Sequence, residues 1–239
     1  MTIYPAIDIK GGKCVRLIQG RAEHQTVYSD NPVEVALQWK AQGARFLHVV
    51  DLDGAFQGHS QNESIIKEII ERVNIPVQVG GGIRSMERIA YLLEEVGVAR
   101  VILGTAAVED PVLLERAIRR FGTSIAVGID ARNNRVAIRG WVEECDITPV
   151  ELGKRVKEMG VETAIYTDIL RDGMLEGPNI PSTREMVEKT GLNVIASGGV
   201  SSLEHIAQLK SVGVDGVIIG KALYSGKIDL KQALKLEER

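Results

Sequence analysis

Four apolar runs in this chain end in residues able to move protons or hold a polar group. Run 3–7 ends at Asp8, 46–50 at Asp51, 124–129 at Asp130, and 163–166 at Thr167 and Asp168. Two more runs end in glycine: 75–79 is followed by Gly80, Gly81 and Gly82, and 101–103 by Gly104 and Thr105. Near the end of the chain Gly198 and Gly199 follow one such run, while Gly220 and Lys221 close the next. Carboxylates can take and return protons. Backbone amides at a turn stripped of side chains can cradle a phosphate. The chemistry indicated is proton transfer on a substrate gripped by its phosphates.

The elements that must position these residues repeat. Runs 75–79 and 101–103 are short and rich in β-branched residues, as buried parallel strands are. Between them Ser85 caps a helix whose apolar positions, Met86, Ile89, Leu92, Leu93 and Val96, follow helical spacing until Gly97 ends it. Segment 192–222 repeats 74–105. Gly82 matches Gly199, Glu87 matches Glu204, Gly97 matches Gly213 and Gly104 matches Gly220, at a separation constant to within one residue. Asp8 likewise matches Asp130 and Asp51 matches Asp168. DLDGAFQG and DILRDGMLEG share an Asp-Gly step (Gly173 in the second) and a later glycine.

Eight strands alternating with eight helices over 239 residues predict a (β/α)8 barrel. It would be a single domain of two repeated half-barrels, about 1–121 and 122–239. A doubly wound sheet is the alternative and would not require the repeat. In a barrel the carboxyl ends of the strands form one mouth. Strands one and five lie on opposite sides, so Asp8 and Asp130 should face each other. The glycine turns of strands three–four and seven–eight should be opposed too. An elongated bisphosphate would then span the mouth with its centre between two carboxylates. Strand parity sends Tyr4 and Ala6 inward with Asp8, and Ala126 and Gly128 inward with Asp130, leaving Ile3, Ile7, Val127 and Ile129 outside.

Plainer roles compete for some of these residues. The glycines could be turns only. Asp51 and Asp168 read equally well as helix caps or turn residues. His48, inside a strand, reads as a core histidine. His24, His59 and His205 have no ligand spacing, so no metal site is expected. Glu143, Glu144 and Asp146 read as a solvated acidic patch. Among the connections, 10–20 reads as a flexible tongue or small hairpin, 51–62 as a polar loop, 133–141 as a hairpin and 230–236 as the closing helix.

A net charge of −3 offers no broad basic field to nucleic acid or an anionic membrane, so any phosphate affinity must be local. Cys14 and Cys145 form no CxxC pair, which suits a reducing compartment. No apolar run approaches the roughly 18 residues of a membrane span, and the first residues read as a strand rather than a secretory leader. The expected location is the cytoplasm.

The segments PAIDIKGGKCVRLIQG (5–20), HVVDLDGA (48–55), VGGGIRS (79–85), GIDARNNRVAIRGW (128–141), YTDILRDGMLEGPN (166–179) and ASGGVSS (196–202) carry a resemblance along the whole chain. The chain resembles the phosphoribosylformimino-aminoimidazole-carboxamide ribotide isomerases of histidine biosynthesis. The resemblance implies an Amadori rearrangement of an aminoaldose to an aminoketose, without a cofactor or an obligatory protein partner, on a substrate with two phosphates. By the family pattern Asp8 is the base and Asp130 the acid, and Thr167 orients or polarises the substrate. Arg84 and Trp141 match loop residues that cover or contact the ligand. The expected binding set adds Gly81, Gly82, Gly104, Thr105, Asp168, Gly173, Gly198, Gly199, Gly220 and Lys221.

Three rivals remain. The sister cyclase that makes imidazole glycerol phosphate shares the glycine turns and an aspartate at Asp130. It usually carries cysteine before its first aspartate, where this chain has Ile7. A dual isomerase acting also on phosphoribosylanthranilate would use the same acid–base pair. A barrel that binds phosphosugars without turnover would have no use for two opposed carboxylates.

Overall fold

The computed structural model describes residues 1–58 and 60–237, and the side chains of 21–23 fall outside that description. His59 therefore lies outside the described residues. Eight parallel strands close into a barrel: β1 (Thr2–Lys10), β4 (Leu47–Asp51), β5 (Val77–Gly80), β6 (Arg100–Leu103), β7 (Ile125–Arg132), β10 (Thr163–Asp168), β11 (Asn193–Ser197) and β12 (Gly216–Ile219). β12 pairs back onto β1 and β7 pairs with β10, so the ring has no free edge.

The outer helices begin where the sequence offers caps. Asn31 caps α1 (Pro32–Ala41), Ser85 caps α4 (Met86–Ala90), Asp110 caps α6 (Pro111–Phe121) and Ser202 caps α9 (Leu203–Ser211). α7 (Pro149–Glu158) starts on a reciprocal capping box between Thr148 and Glu151. The predicted parity holds. Tyr4, Ala6, Ile102, Ala126, Ile165, Ile195 and Ile218 fill the barrel, while Ile3, Ile7, Val127 and Ile129 pack in the layer between strands and helices.

Several local expectations are corrected. Of the two readings of 10–20 the hairpin holds and reaches further than expected: β1 turns at Gly11-Gly12 into β2 (Lys13–Ile18) and β3 (Arg21–Ser29), a three-stranded antiparallel excursion. The predicted polar loop after β4 begins as a helix, α2 (Leu52–Gln57), because Asp51 caps it and accepts a hydrogen bond from Gly54 N at 3.0 Å. The helix that starts at α4 finishes in a π-turn, Tyr91–Val96. The 133–141 excursion is a hairpin as predicted, with β8 (Arg135–Ile138) between β7 and a short β9 (Glu143–Glu144). Its acidic residues are exposed as expected and also form surface ion pairs: Glu143 with Arg139, Glu144 with Arg132 and Asp146 with Arg135. α3 (Glu63–Val73), α5 (Thr105–Glu109), α8 (Ile180–Thr190), α10 (Lys221–Tyr224) and α11 (Leu230–Leu234) complete the fold, α11 ending short of residue 236.

Candidate active site

β1 delivers Asp8 and β7 delivers Asp130 to the carboxyl end of the barrel, four strands apart in either direction round the ring. Both line one cavity of about 210 Å³. Thr167, which stands beside Asp130 in register on β10, lines it too. So do Gly81, Gly82 and Arg84 from the turn after β5, Gly104 and Thr105 after β6, and Trp141 from the β8 excursion.

The two aspartates have different surroundings. Arg16 on β2 donates from Nη1 to Asp8 Oδ2 at 2.6 Å, and both side chains are largely shielded from water. Burial raises the Asp8 carboxyl above the usual range and the guanidinium opposes it. A guanidinium in hydrogen-bond contact favours the charged form, the state a base needs, over the protonated one. Burial raises Asp130 as well, but what opposes it there is a pair of neutral donors, the Trp141 and Thr167 side chains. A raised carboxyl without a cation is the better proton donor.

Two residues that sequence reasoning missed also face this space. Arg16 is one. Its signal was the Gly11-Gly12 turn, which sets Val15 opposite Asp8 and brings Arg16 to the same end. Asp172, in the loop after β10, is the other. Burial, with Asp8 and Asp130 adding to it, outweighs Arg16 and Lys221 and pushes its carboxyl up to about 6. The repeated Asp-Gly step marks its position beside Gly173, but only the path of that loop turns it inward.

The second pair of glycine turns lies apart from the main cavity. Gly173, Gly198, Gly199, Gly220 and Lys221 line a recess of about 20 Å³, and Arg16, Asp172, Ser197 and Ile218 line both spaces and divide them. Arg16 presses on Gly220 so closely that a β-carbon there would fall 1.6 Å from its Nη2. Lys221 Nζ donates to the Gly173 carbonyl at 2.8 Å. The expected second cradle is thus a recess edged by a guanidinium and an ammonium, two groups suited to phosphate.

Part of the glycine pattern serves packing. A β-carbon on Gly81 would lie 2.1 Å from the Asp51 carbonyl oxygen, and one on Gly198 would lie 2.6 Å from that of Asp168. Around Gly104 a β-carbon would meet nothing within 4 Å. The plainer role also accounts for Asp51, which is buried and accepts from Gly54 N and Asn62 Nδ2. Asp168 lines neither space; its carboxylate accepts from Leu170 N at 3.0 Å and Asn179 Nδ2 at 2.7 Å, holding the loop that carries Asp172. His48 lies inside the barrel beneath the mouth and does line the main cavity. His205 Nδ1 meets the backbone and hydroxyl of Ser201, and His24 is exposed. Among the described residues no three His, Cys, Asp or Glu side chains gather as a metal ion would require, and no helix there is long and apolar enough to cross a membrane.

Comparison with known proteins adds the following. Residues 2–229 match the family model described as histidine biosynthesis protein. The chain is 53% identical to a protein of Thermoanaerobacter pseudethanolicus and 53% identical to one of Acetivibrio thermocellus, covering 99% of both chains each time. It is 52% identical to a protein of Lachnoclostridium phytofermentans over the full length of both. All three relatives are named 1-(5-phosphoribosyl)-5-((5-phosphoribosylamino)methylideneamino)imidazole-4-carboxamide isomerase.

Proposed function

The chain belongs to the histidine biosynthesis protein family, and from that premise we propose how its barrel mouth carries out the isomerisation for which its relatives are named. It is an isomerase of histidine biosynthesis. The relatives' substrate name contains two phosphoribosyl groups, so the molecule has a phosphate towards each end. One phosphate goes to the turns after β5 and β6, where Gly81, Gly82, Gly104 and Thr105 supply backbone donors and Arg84 a charge. The other goes to the recess of Gly173, Gly198, Gly199, Gly220 and Lys221. The phosphoribosylamino group is then held midway, between Asp8 and Asp130.

The rearrangement needs one proton delivered and one withdrawn. Asp130, raised by burial and steadied by Trp141 and Thr167, protonates the ring oxygen of the ribose. The bond from that oxygen to C1 breaks, leaving a hydroxyl on the sugar and a C1–nitrogen Schiff base. Asp8, whose charged form the Arg16 hydrogen bond favours, takes the proton from C2. The electron pair forms a C1–C2 double bond, giving an enolamine. Transfer of the C2 hydroxyl proton and protonation of C1 yield the ketose. Each catalytic group contributes about 10²–10⁴-fold, and the fixed donors of the mouth add to that. Phosphate recognition and the absence of any broad basic field fit a small metabolite of the cytoplasm, where we place the chain.

The observation that carries this reading is one cavity between two opposed aspartates, one partnered by a cation and the other by neutral donors. Purified protein should convert the aminoaldose to the aminoketose without added metal. D8N and D130N should each lose about 10²–10⁴-fold in kcat while still binding product. Full turnover in either variant would remove that residue from its role. Turnover of phosphoribosylanthranilate, assayed in parallel, would extend the reading to the dual isomerase.

A further inference from the structure

Below the aspartates a polar chain crosses the largely apolar barrel interior. His48 on β4, Gln78 on β5 and Arg100 on β6 are neighbours in register on consecutive strands. Arg100 Nη1 donates to Gln78 Oε1 at 3.1 Å, and Gln78 Nε2 meets His48 Nδ1 at 3.0 Å. The Arg100 guanidinium in turn lies 5.5 Å from the centre of the Phe46 ring, which packs on Tyr4. Gln78 is fully buried and His48 nearly so. Such polar groups have no place in a barrel filled with isoleucine and alanine unless each is satisfied and directed.

The chemistry of the three groups leaves one assignment. A guanidinium has donors only, so the Gln78 atom facing Arg100 must be the carbonyl oxygen. The amide nitrogen then points at His48 with a hydrogen, and Nδ1 must receive it with a lone pair. An imidazole bare at Nδ1 and neutral carries its proton on Nε2. A charged imidazole would set N–H against N–H. In agreement, burial and, after it, the Arg16 charge push His48 down to about 3. Strand parity directs the ring inward: Leu47 and Val49 pack outside the barrel, while His48 and Val50 line the cavity. Nε2 has no hydrogen-bond partner among the described residues.

We infer that His48 is a substrate-binding donor on the cavity floor, held as the Nε2–H tautomer by Gln78, which Arg100 orients from the opposite end of the barrel. The inference rests on the isomerase reading above and deepens it. The group it would meet is a sugar oxygen of the half of the substrate that reacts, since His48 stands beside Ala6 on β1, one inward position below Asp8. Gln78 and Arg100 touch no ligand and are positioning residues.

The test is nitrogen-15 NMR of histidine-labelled whole protein at pH 7.5. Free wild type should show a neutral His48 protonated on Nε2. A proton on Nδ1, or an imidazolium, would overturn the inference. Saturating ketose product should shift the Nε2–H resonance, and an unmoved resonance would refute the contact. Q78E should reverse the lock, because its carboxylate accepts from both neighbours and draws the proton to Nδ1. An unchanged tautomer there would show that Gln78 does not set it. H48N keeps a polar atom near Nδ1 but lacks the outward donor, so it should lose about tenfold to a hundredfold in kcat/KM. H48Q reaches the Nε2 position and should recover the larger share. Equal activity in H48N and wild type would dismiss the donor. If wild type neither turned over nor bound product, the isomerase reading would fall, while the tautomer of the free protein would still judge the lock.

Discussion

Asp172 is where a single residue sets a measurable property of the protein. Its carboxyl titrates at about 6 in the fold against 3.8 for an ordinary aspartate. Between those values the folded chain keeps a proton that the unfolded chain has released, so stability falls as pH rises from about 4 to 6 and stays lower beyond. The gap between the two values is equivalent to about 3 kcal/mol. D172N, which cannot ionise, should therefore match wild type near pH 3.5 and exceed it by up to that amount at pH 7.5, measured by urea denaturation. A difference constant across that range would contradict the assignment. Asp8 and Asp130 were legible in the sequence because each closes an apolar run whose parity is fixed. Asp172 sits in a loop; the repeated Asp-Gly step marked it, but no period constrains its direction, so its place in the site was not legible.

At the scale of the element, the glycine turns divide into two kinds that sequence cannot separate. Gly81 has a φ of +111° and its missing β-carbon makes room for the Asp51 backbone. G81A should cost about 3 kcal/mol or more, the sum of a strained backbone and a forced shift. Gly104 faces open space at the cavity wall. G104A should leave unfolding within about 1 kcal/mol of wild type and, on the proposed placement of the first phosphate, raise KM because its methyl would stand in the way. Thermal unfolding and steady-state kinetics on the two variants separate a glycine that packing requires from one that packing does not. An equal loss of stability in both would mean that the distinction is wrong. The excursions after β1 and β7 are elements of a further sort. The sequence showed their turns, but the contact of Gly20 with the Trp141 ring, which brings the two excursions together over the mouth, is visible only in space.

For the molecule as a whole, closure of the ring depends on the last unit reaching the first. Tyr224 Oη donates to the Ala6 carbonyl at 2.8 Å, Ile3 N donates to Glu237 Oε1 at 2.7 Å, and β12 pairs with β1 from Thr2 to Pro5. Y224F should lose about 1–2 kcal/mol of stability, since the hydroxyl bonds both the Ala6 carbonyl and Cys14 Sγ. Truncation after residue 215 should do far more. It removes β12 and leaves β1 and β11 as open parallel edges, so the shortened chain should aggregate rather than fold as a monomer. Size-exclusion chromatography decides, and a monodisperse, cooperatively unfolding fragment would refute it. The strand count and alternation foretold a barrel because each βα unit carries its own caps and period. They could not foretell that Arg16 would stand between the main cavity and the recess beside it.

By itself, then, the amino-acid order determined which residues end strands, which faces those strands bury, and that carboxylates and glycine turns share one rim. Those properties are local, since parity, capping and turn chemistry act over a few residues. Tertiary structure alone decided which carboxylate has a cation beside it, which aspartates serve the loops, and how three distant strands align Arg100, Gln78 and His48. Charge state and hydrogen-bond direction depend on burial and on neighbours far away in the chain, and closure of the ring is what brings those neighbours together.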